Sequence, residues 1–236
     1  MDNAQNLQAV WQGLSKDRRG DGRGAIYAFV APATGVGTSY VSRTMALMAG
    51  KQMRGDKQVL IVDMDIQNNI QSNWFFTPQA QALYGRVDGP FDASFGTAPF
   101  WRVTPSMVDA FGQNLTDSHF MSLHNVAGAN LTVTRFQWEH FRQGQNVHIQ
   151  NSRAYWHKLR EYFGAIFVDI PALDRAEIIS SICPEADNTV LVSAPHDAKS
   201  RGLGDAYGKI TSLNGHCAGV IFNQPPSQSS NYGGSA

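Results

Sequence analysis

The chain has 236 residues, of which 42% are hydrophobic and 16% charged, a composition that indicates one globular α/β domain with a sizeable core. Nineteen basic and nineteen acidic side chains give a formal net charge of zero, so no overall positive charge attracts nucleic acid. A protein with a net charge near zero is less protected against self-association, which favours an oligomer or a bound partner. The two cysteines have no metal-ligand spacing, and no window reaches the ~18 apolar residues of a membrane span. We therefore expect a cytoplasmic protein without direct membrane insertion.

The first 24 residues are polar, and we expect them to form a flexible N-terminal segment. One weak helix is predicted over residues 7–14, followed by a charged, glycine-rich linker over residues 16–24. The domain itself is predicted to span residues 25–223.

A short apolar run at residues 26–30 leads into a glycine turn and then into a helical pattern. This is the layout of a phosphate-binding loop, in which a lysine normally follows the second glycine. In this chain Thr38 occupies that position. The sequence therefore predicts a loop whose backbone is shaped to bind a nucleotide. The positively charged side chain that would bind the β- and γ-phosphates is missing from it.

Strands and helices alternate after the loop, which predicts a doubly wound, mostly parallel sheet with helices on both faces. Residues 67–150 interrupt this alternation, and we interpret them as an elaborated insertion whose aromatic side chains must pack. The tail, residues 224–236, is rich in Pro, Ser, Gly and Asn and is expected to be disordered. The further elements predicted are strands at 58–63, 131–136, 165–168, 188–192 and 218–222, and helices from 152, over 173–182 and over 201–213.

Three aspartates lie at the carboxyl ends of predicted strands: Asp63 and Asp65 at the end of one, and Asp169 at the end of another. In an open parallel sheet, ligands bind beyond the carboxyl ends of the strands. Acids at these positions, beside a glycine loop, are typical of a site that holds a metal or orients a nucleophile.

Four segments together, AFVAPATGVGTS, VLIVDMDIQ, AIFVDIPA and GVIFNQ, resemble the deviant P-loop ATPases of the ParA/MinD class. Within that class the chain looks most like the cytoplasmic tyrosine kinase domains of bacterial capsule and exopolysaccharide machinery. The resemblance covers residues 25–78 and 150–226, and it implies binding of ATP or ADP with Mg²⁺.

The resemblance assigns roles residue by residue. Asp63 and Asp65 would be the catalytic acids, Ser39 and Asp169 would hold Mg²⁺, and Asn223 would lie near the adenine. The nucleotide-binding residues would be Thr34, Gly35, Val36, Gly37, Thr38, Ser39 and Asn223.

The chain also departs from the family pattern. Thr38 replaces the loop lysine, and Ala33 stands where ParA and MinD proteins carry their signature lysine. One lost charge-assisted contact weakens ATP binding by about 10- to 100-fold, and phosphoryl transfer suffers more. Arg43, one turn after the loop, would have to fold back to compensate. The tail holds a single tyrosine, Tyr232, instead of the tyrosine cluster of those kinases.

The resemblance implies a degenerate, kinase-like cytoplasmic protein of exopolysaccharide biosynthesis or export. It would act by binding a membrane-embedded polysaccharide co-polymerase or export component, with nucleotide as a gate, and would reach the inner membrane through that partner. Two alternatives stay open. One is an active Mg-ATP-dependent kinase or ATPase with a substitute cation; the other is a ParA/MinD-like positioning factor for pili, flagella or cellulose synthesis, to which Gln67 points.

Overall fold

The computed structural model describes residues 3–17, 22–108, 112 and 115–223. It contains ten strands and six α-helices in these ranges. The strands are β1 Ala25–Val30, β2 Gln58–Asp63, β3 Val87–Asp92, β4 Trp101–Thr104, β5 Met121–Val126, β6 Leu131–Phe136, β7 Asn146–Ile149, β8 Phe163–Asp169, β9 Asn188–Ser193 and β10 Cys217–Phe222. The helices are α1 Asn3–Leu14, α2 Thr38–Gln52, α3 Ile70–Phe75, α4 Pro78–Tyr84, α5 Arg153–Tyr162 and α6 Arg201–Ser212.

Eight strands form one sheet in the order β10-β9-β1-β8-β2-β6-β5-β3. The pairs from β10 through to β6 are parallel, and β5 pairs antiparallel with both of its neighbours. The predicted mostly parallel α/β sheet is therefore confirmed. Because β1, β2 and β8 are central and parallel, the loops after these three strands meet at one edge of the sheet.

Strand β1 shows why both faces of the sheet are covered. Its residues alternate between two buried clusters: Ile26 and Val30 face the side of α5 and α6, whereas Tyr27 and Phe29 face the side of α1 and α2. All six residues of β1 are buried. A continuous apolar run is what a strand between two helical layers requires.

The N-terminal helix α1 corrects the expectation of a flexible segment. Leu7 and Trp11 are buried in the core, and the Trp11 indole N–H donates to Oε1 of Gln52 at 2.9 Å. The Trp11 ring also packs edge-on against Tyr27. These buried apolar side chains, with Leu14 packed against the same cluster, are enough to fix the helix to the domain. Residues 18–21 of the predicted linker lie outside the described residues, as does the tail 224–236.

The middle of the chain is built into the fold. It supplies β3, β5 and β6 to the main sheet and forms a second, two-stranded sheet from β4 and β7. Phe100 and Trp101 are fully buried, and Phe100 stacks on Trp156 of α5. The expectation that these aromatic side chains pack is correct for this pair, whereas Phe91 stays 48% exposed.

The helix predicted over 173–182 is wrong. This segment forms turns and one short 3₁₀ helix, Ile178–Ser181, and a second 3₁₀ helix, Cys183–Glu185, follows it. Its backbone is hydrogen-bonded to another segment of the chain, since the Leu173 N–H donates to the carbonyl of Ala31 at 2.9 Å. Tertiary contacts outweigh a weak helical pattern here.

Within the described part of the chain, no helix is both long and apolar enough to cross a membrane.

Candidate functional site

The loop between β1 and α2 has the backbone of a phosphate-binding loop. Gly35 and Gly37 have φ angles of 92° and 85°, in the left-handed region that favours glycine. A Cβ atom on Gly37 would also collide with the side-chain nitrogen of Asn223. Helix α2 begins at Thr38, and the first N–H groups of a helix have no partner within it and attract anions. The loop therefore keeps its expected shape, with Thr38 in the lysine position.

Side chains from other segments hold this loop. Asn223 is buried, and its Nδ2 donates to the Val36 carbonyl at 2.8 Å. The Val36 side chain is buried in the core cluster beneath α2. At the other end of the loop, Asp174 accepts hydrogen bonds from the N–H and the hydroxyl of Thr34 at 3.0 and 2.9 Å. These contacts fix the loop without using the N–H groups of Gly35 to Thr38.

Asp63 and Asp169 end the neighbouring strands β2 and β8 and lie side by side in the register. The two carboxylate oxygens of Asp63 accept backbone hydrogen bonds from Asp65 at 3.0 Å and from Gln71 at 2.8 Å. Asp63 is only 2% exposed. Its carboxylate therefore shapes the turn after β2 and lies behind the site.

Asp65 faces the site and is paired. Arg175 donates two hydrogen bonds to its carboxylate, from Nη1 at 2.7 Å and from Nη2 at 3.2 Å. Asn68 Nδ2 lies 3.0 and 3.1 Å from the same two oxygens. The Arg175 side chain is 35% exposed and that of Asp65 is 7% exposed. The pair thus lies at the boundary between the core and the open site.

Gln71, on α3, connects the acids to the loop. Its side-chain Nε2 donates to Asp169 at 2.6 Å and also lies 3.0 Å from the Ser39 carbonyl, while its Oε1 accepts from Arg43 at 3.0 Å. Gln71 is fully buried, and the Arg43 guanidinium stacks on Trp74 at 4.4 Å. Arg43 is therefore part of this buried network and does not fold back over the loop.

Burial sets the protonation of these groups. It raises the pKa of Asp63, and the neighbouring Asp169 raises it further. Burial likewise raises the pKa of Asp169 to about 6, although hydrogen bonds from Ser39 and Gln71 act in the opposite direction. Burial also lowers the pKa of Arg43. Asp169 is consequently ionised at neutral pH but takes up a proton under mildly acidic conditions.

A cleft of about 340 Å³ lies between the loop and the acids; we call it the nucleotide cleft. Its charged lining residues are Asp65, Asp169 and Arg175, and no lysine lines it among the residues that the structure describes. The remaining lining residues are Ala33, Thr34, Gly35, Gly37, Thr38, Ser39, Ile70, Ile170, Pro171 and Ala172.

The oxygen atoms in this cleft fit Mg²⁺ that arrives with a nucleotide. Mg²⁺ prefers one or two carboxylates together with phosphate oxygens and water. Ser39, Asp65 and Asp169 offer such oxygens. In the part of the chain that is described, no cluster of three or more His, Cys, Asp or Glu side chains is arranged to hold a metal. The donor set therefore suits a metal shared with phosphates.

Of the residues that the sequence singled out, seven line the nucleotide cleft and three do not. Val36, Asp63 and Asn223 lie in the layer beneath it, as buried residues. The seven are Thr34, Gly35, Gly37, Thr38, Ser39, Asp65 and Asp169. The contact of Asn223 is to the loop backbone, and its place near an adenine stays a prediction.

Sequence reasoning missed three residues of the site. Gln71 lies in the segment interpreted as an insertion, and Asp174 and Arg175 lie in the wrongly predicted helix. The one available signal was position, because Asp174 and Arg175 follow a parallel strand closely, where ligand-contacting loops occur.

No family model matches the chain, and no curated protein matches it significantly. Solved structures share its fold. The kinase domain of Escherichia coli tyrosine kinase ETK matches with a TM-score of 0.61 and 13% identity, over 99% of this chain and 80% of that one. The VpsO kinase domain matches with a TM-score of 0.54 and 13% identity, over 94% and 96% of the two chains. The MinD cell division protein of Aquifex aeolicus matches with a TM-score of 0.51 and 18% identity, over 86% and 70%.

Identities this low show the fold alone. The fold is that of P-loop ATPases of the MinD type and of bacterial tyrosine kinase domains, as the sequence motifs predicted. The activity of this chain has to be argued from its own cleft.

Proposed function

We propose that this protein is a degenerate, tyrosine-kinase-like cytoplasmic component of exopolysaccharide biosynthesis or export, which acts by binding a partner and uses nucleotide as a gate. One observation carries the proposal: the nucleotide cleft keeps the loop geometry while Thr38 stands in the lysine position. The pathway rests on the resemblance to kinases of capsule and exopolysaccharide machinery.

Nucleotide binding should survive the loss of the lysine. The backbone N–H groups of the glycine loop and the start of α2 still form a concave anion site. One missing charge-assisted contact costs about 1.5–3 kcal/mol, which is about 10- to 100-fold in affinity. We therefore expect weakened binding of ATP and ADP.

Phosphoryl transfer should not survive. Catalysis of this reaction consists mainly of stabilising charge on the phosphoryl group as it transfers. The loop supplies no side-chain cation, and Asp63 is enclosed behind the cleft, where both of its carboxylate oxygens accept backbone hydrogen bonds. A cleft that holds phosphates without stabilising their transfer suits a switch better than an enzyme.

The partner we propose is a membrane-embedded polysaccharide co-polymerase or export component, with which the protein would associate at the inner membrane. This rests on the resemblance to the kinase domains, and a near-neutral surface is compatible with a bound partner or with self-association.

The test is a calorimetric titration of the purified protein with ATP and with ADP, with and without Mg²⁺, together with an assay of phosphate release. We expect binding at micromolar to millimolar nucleotide and phosphate release at background. Turnover near the 1–100 s⁻¹ that is typical of kinases would contradict the proposal.

Arg175 favours one alternative, an active Mg-ATP-dependent kinase or ATPase with a substitute cation, because its guanidinium lines the nucleotide cleft. If this alternative is correct, Mg²⁺-dependent turnover is measurable in the wild type and Asp169→Asn abolishes it. Thermal unfolding of the variant would show that it still folds.

A further inference from the structure

We propose that Arg175 takes the place of the missing lysine: it leaves Asp65 and binds the terminal phosphates when a nucleotide enters the cleft. This inference rests on the proposed function, since it requires that the cleft binds nucleotide. To the proposed function it adds the residue that supplies the positive charge. It also adds a response to bound nucleotide, namely the change of partner of Arg175 from Asp65 to the phosphates.

The backbone around Arg175 is fixed against the phosphate loop. Two residues earlier, the Leu173 N–H donates to the Ala31 carbonyl at 2.9 Å. One residue earlier, the Asp174 carboxylate accepts from the N–H and the hydroxyl of Thr34. Because the chain is held on the loop at both points, the guanidinium needs only a side-chain rotation to change partners within the cleft.

The present contacts of Arg175 allow that rotation. Its side chain is 35% exposed, and it borders both the nucleotide cleft and a larger neighbouring cleft of about 670 Å³. When it leaves, Asp65 keeps the hydrogen bonds from Asn68 to both carboxylate oxygens. Arg175 exchanges one anionic partner for another, and Asp65 loses its counter-ion but keeps the Asn68 amide as a hydrogen-bond donor. A guanidinium also suits phosphate, because its paired N–H groups match two phosphate oxygens.

Other cations lie on α2 or follow it, and none of these lines the nucleotide cleft. Arg43 is buried between Gln71 and Trp74. Lys57 donates to the Gly22 carbonyl at 2.7 Å, after the end of α2. Lys51 lies in the last turn of α2, far along the helix from Thr38. Among the described lysines and arginines, Arg175 is the one that lines the nucleotide cleft, and its side chain is partly exposed.

The exchange also connects the two clefts. Asp65 and Arg175 belong to the walls of both. When Arg175 turns towards a nucleotide, the larger cleft loses a cation from its wall and gains an unpaired carboxylate. Nucleotide in one cleft would therefore change the charge of the other, which is a physical basis for gating.

The experiment is a titration with ATP and with ADP in EDTA, so that metal binding by Asp65 does not contribute. The proteins are the wild type, Arg175→Ala, Asp65→Asn and the double variant. Glu177→Gln is the control, because it removes a charge from the wall of the larger cleft, where Glu177 is paired with Lys209.

We expect Arg175→Ala to weaken ATP binding by about 10- to 100-fold and ADP binding less. Asp65→Asn should strengthen ATP binding by up to about fivefold, because Arg175 no longer has to break a partly exposed ion pair before it binds the phosphates. This gain should exceed that of Glu177→Gln and disappear in the double variant, since it requires the freed guanidinium.

Equal ATP affinity of Arg175→Ala and the wild type would overturn this inference and leave the proposed function standing. A gain that persists in the double variant would likewise overturn it. If neither the wild type nor Thr38→Lys binds ATP at millimolar concentration, the proposed function fails as well. Arg175→Gln repeats the test with a side chain that is polar and longer than alanine but uncharged. Thermal unfolding of each variant shows whether it folds.

Discussion

The nucleotide cleft has two walls of different construction. The loop wall, residues 33–39, is shaped by backbone: Gly35 and Gly37 with positive φ angles and the start of α2. The acid wall is made of side chains: Asp169 ends strand β8, and Asp65 and Arg175 come from the loops after β2 and β8. The loop wall takes its shape from local backbone angles and is held in place by Asn223 and Asp174, whereas the acid wall consists of side chains brought together from distant segments.

This difference shows why the two properties of a phosphate site, shape and charge, can separate. Replacement of a lysine by Thr38 removes a charge and leaves the glycine backbone unchanged. The remaining charges stay on the acid wall, where Gln71 and Arg175 organise them. Variants that disturb one wall and not the other can therefore test the comparison.

The largest effect is expected for Gln71→Ala, which removes the centre of the acid wall. Asp169 loses a hydrogen bond at 2.6 Å and Arg43 loses its acceptor, and both groups are buried. Leaving buried charged groups without these partners should cost about 3 kcal/mol of unfolding free energy, measured by urea denaturation. Gln67→Ala, at an exposed position nearby, should stay within about 0.5 kcal/mol of the wild type. A cost below about 1 kcal/mol for Gln71→Ala would show that the network does not hold the acids.

The next effect concerns the loop wall, where two glycines form a matched pair. Gly37→Ala should cost about 2 kcal/mol of stability or more, because the new Cβ has an unfavourable φ and collides with Asn223. Gly35→Ala has an equally positive φ, but open space surrounds its new Cβ, so it should cost less. The difference between the two unfolding free energies measures the contact with Asn223. Equal costs would mean that Asn223 does not support the loop.

The smallest effect is the pH dependence of Mg-ATP binding. Burial raises the pKa of Asp169 to about 6, so this carboxylate is mostly ionised at pH 7 and mostly protonated at pH 5. Because Mg²⁺ binds the ionised form, affinity should fall about tenfold between these two values. Titrations of Asp169→Asn at both pH values correct for protonation of the nucleotide itself. A dependence that is unchanged in this variant would exclude Asp169 as a metal ligand.

The same raised pKa affects stability with a defined sign. Between its ordinary value near 4 and about 6, Asp169 holds more protons in the folded than in the unfolded protein. Its contribution therefore makes the protein less stable as pH rises through this window and is constant above it. In Asp169→Asn this contribution disappears, which urea denaturation at pH 4.5 and pH 7 would show as a weaker loss of stability on raising the pH.

The part of the fold that the sequence predicted is the part with local signals. The continuous apolar runs of β1, β2 and β8 could be identified because strands buried on both faces need no polar residues. Strand β3 could not, because its sequence VDGPFD carries the glycine and proline typical of a turn. Its place at the sheet edge comes from antiparallel pairing with β5, a long-range contact.

The residues of the site also divide into those that a local sequence pattern identifies and those that it does not. The glycine spacing and the aspartates at strand ends are patterns within a few residues, and they led to most of the cleft lining. Gln71 and Arg175 carry no such pattern, since each acquires its role from a partner far along the chain: Asp169 for Gln71 and Asp65 for Arg175. Whether an acid such as Asp63 faces the cleft or the core also depended on backbone contacts that only the structure shows.

The most direct test of a phosphate loop that has kept its shape and lost its charge is to restore the lysine. We predict that Thr38→Lys binds ATP about 10- to 100-fold more tightly than the wild type in a calorimetric titration. Gly208→Lys, which adds the same charge on an exposed turn of α6 with open space around it, should leave the affinity unchanged. If Thr38→Lys binds no more tightly than Gly208→Lys, the loop is not a working phosphate cradle, and the central claim is contradicted.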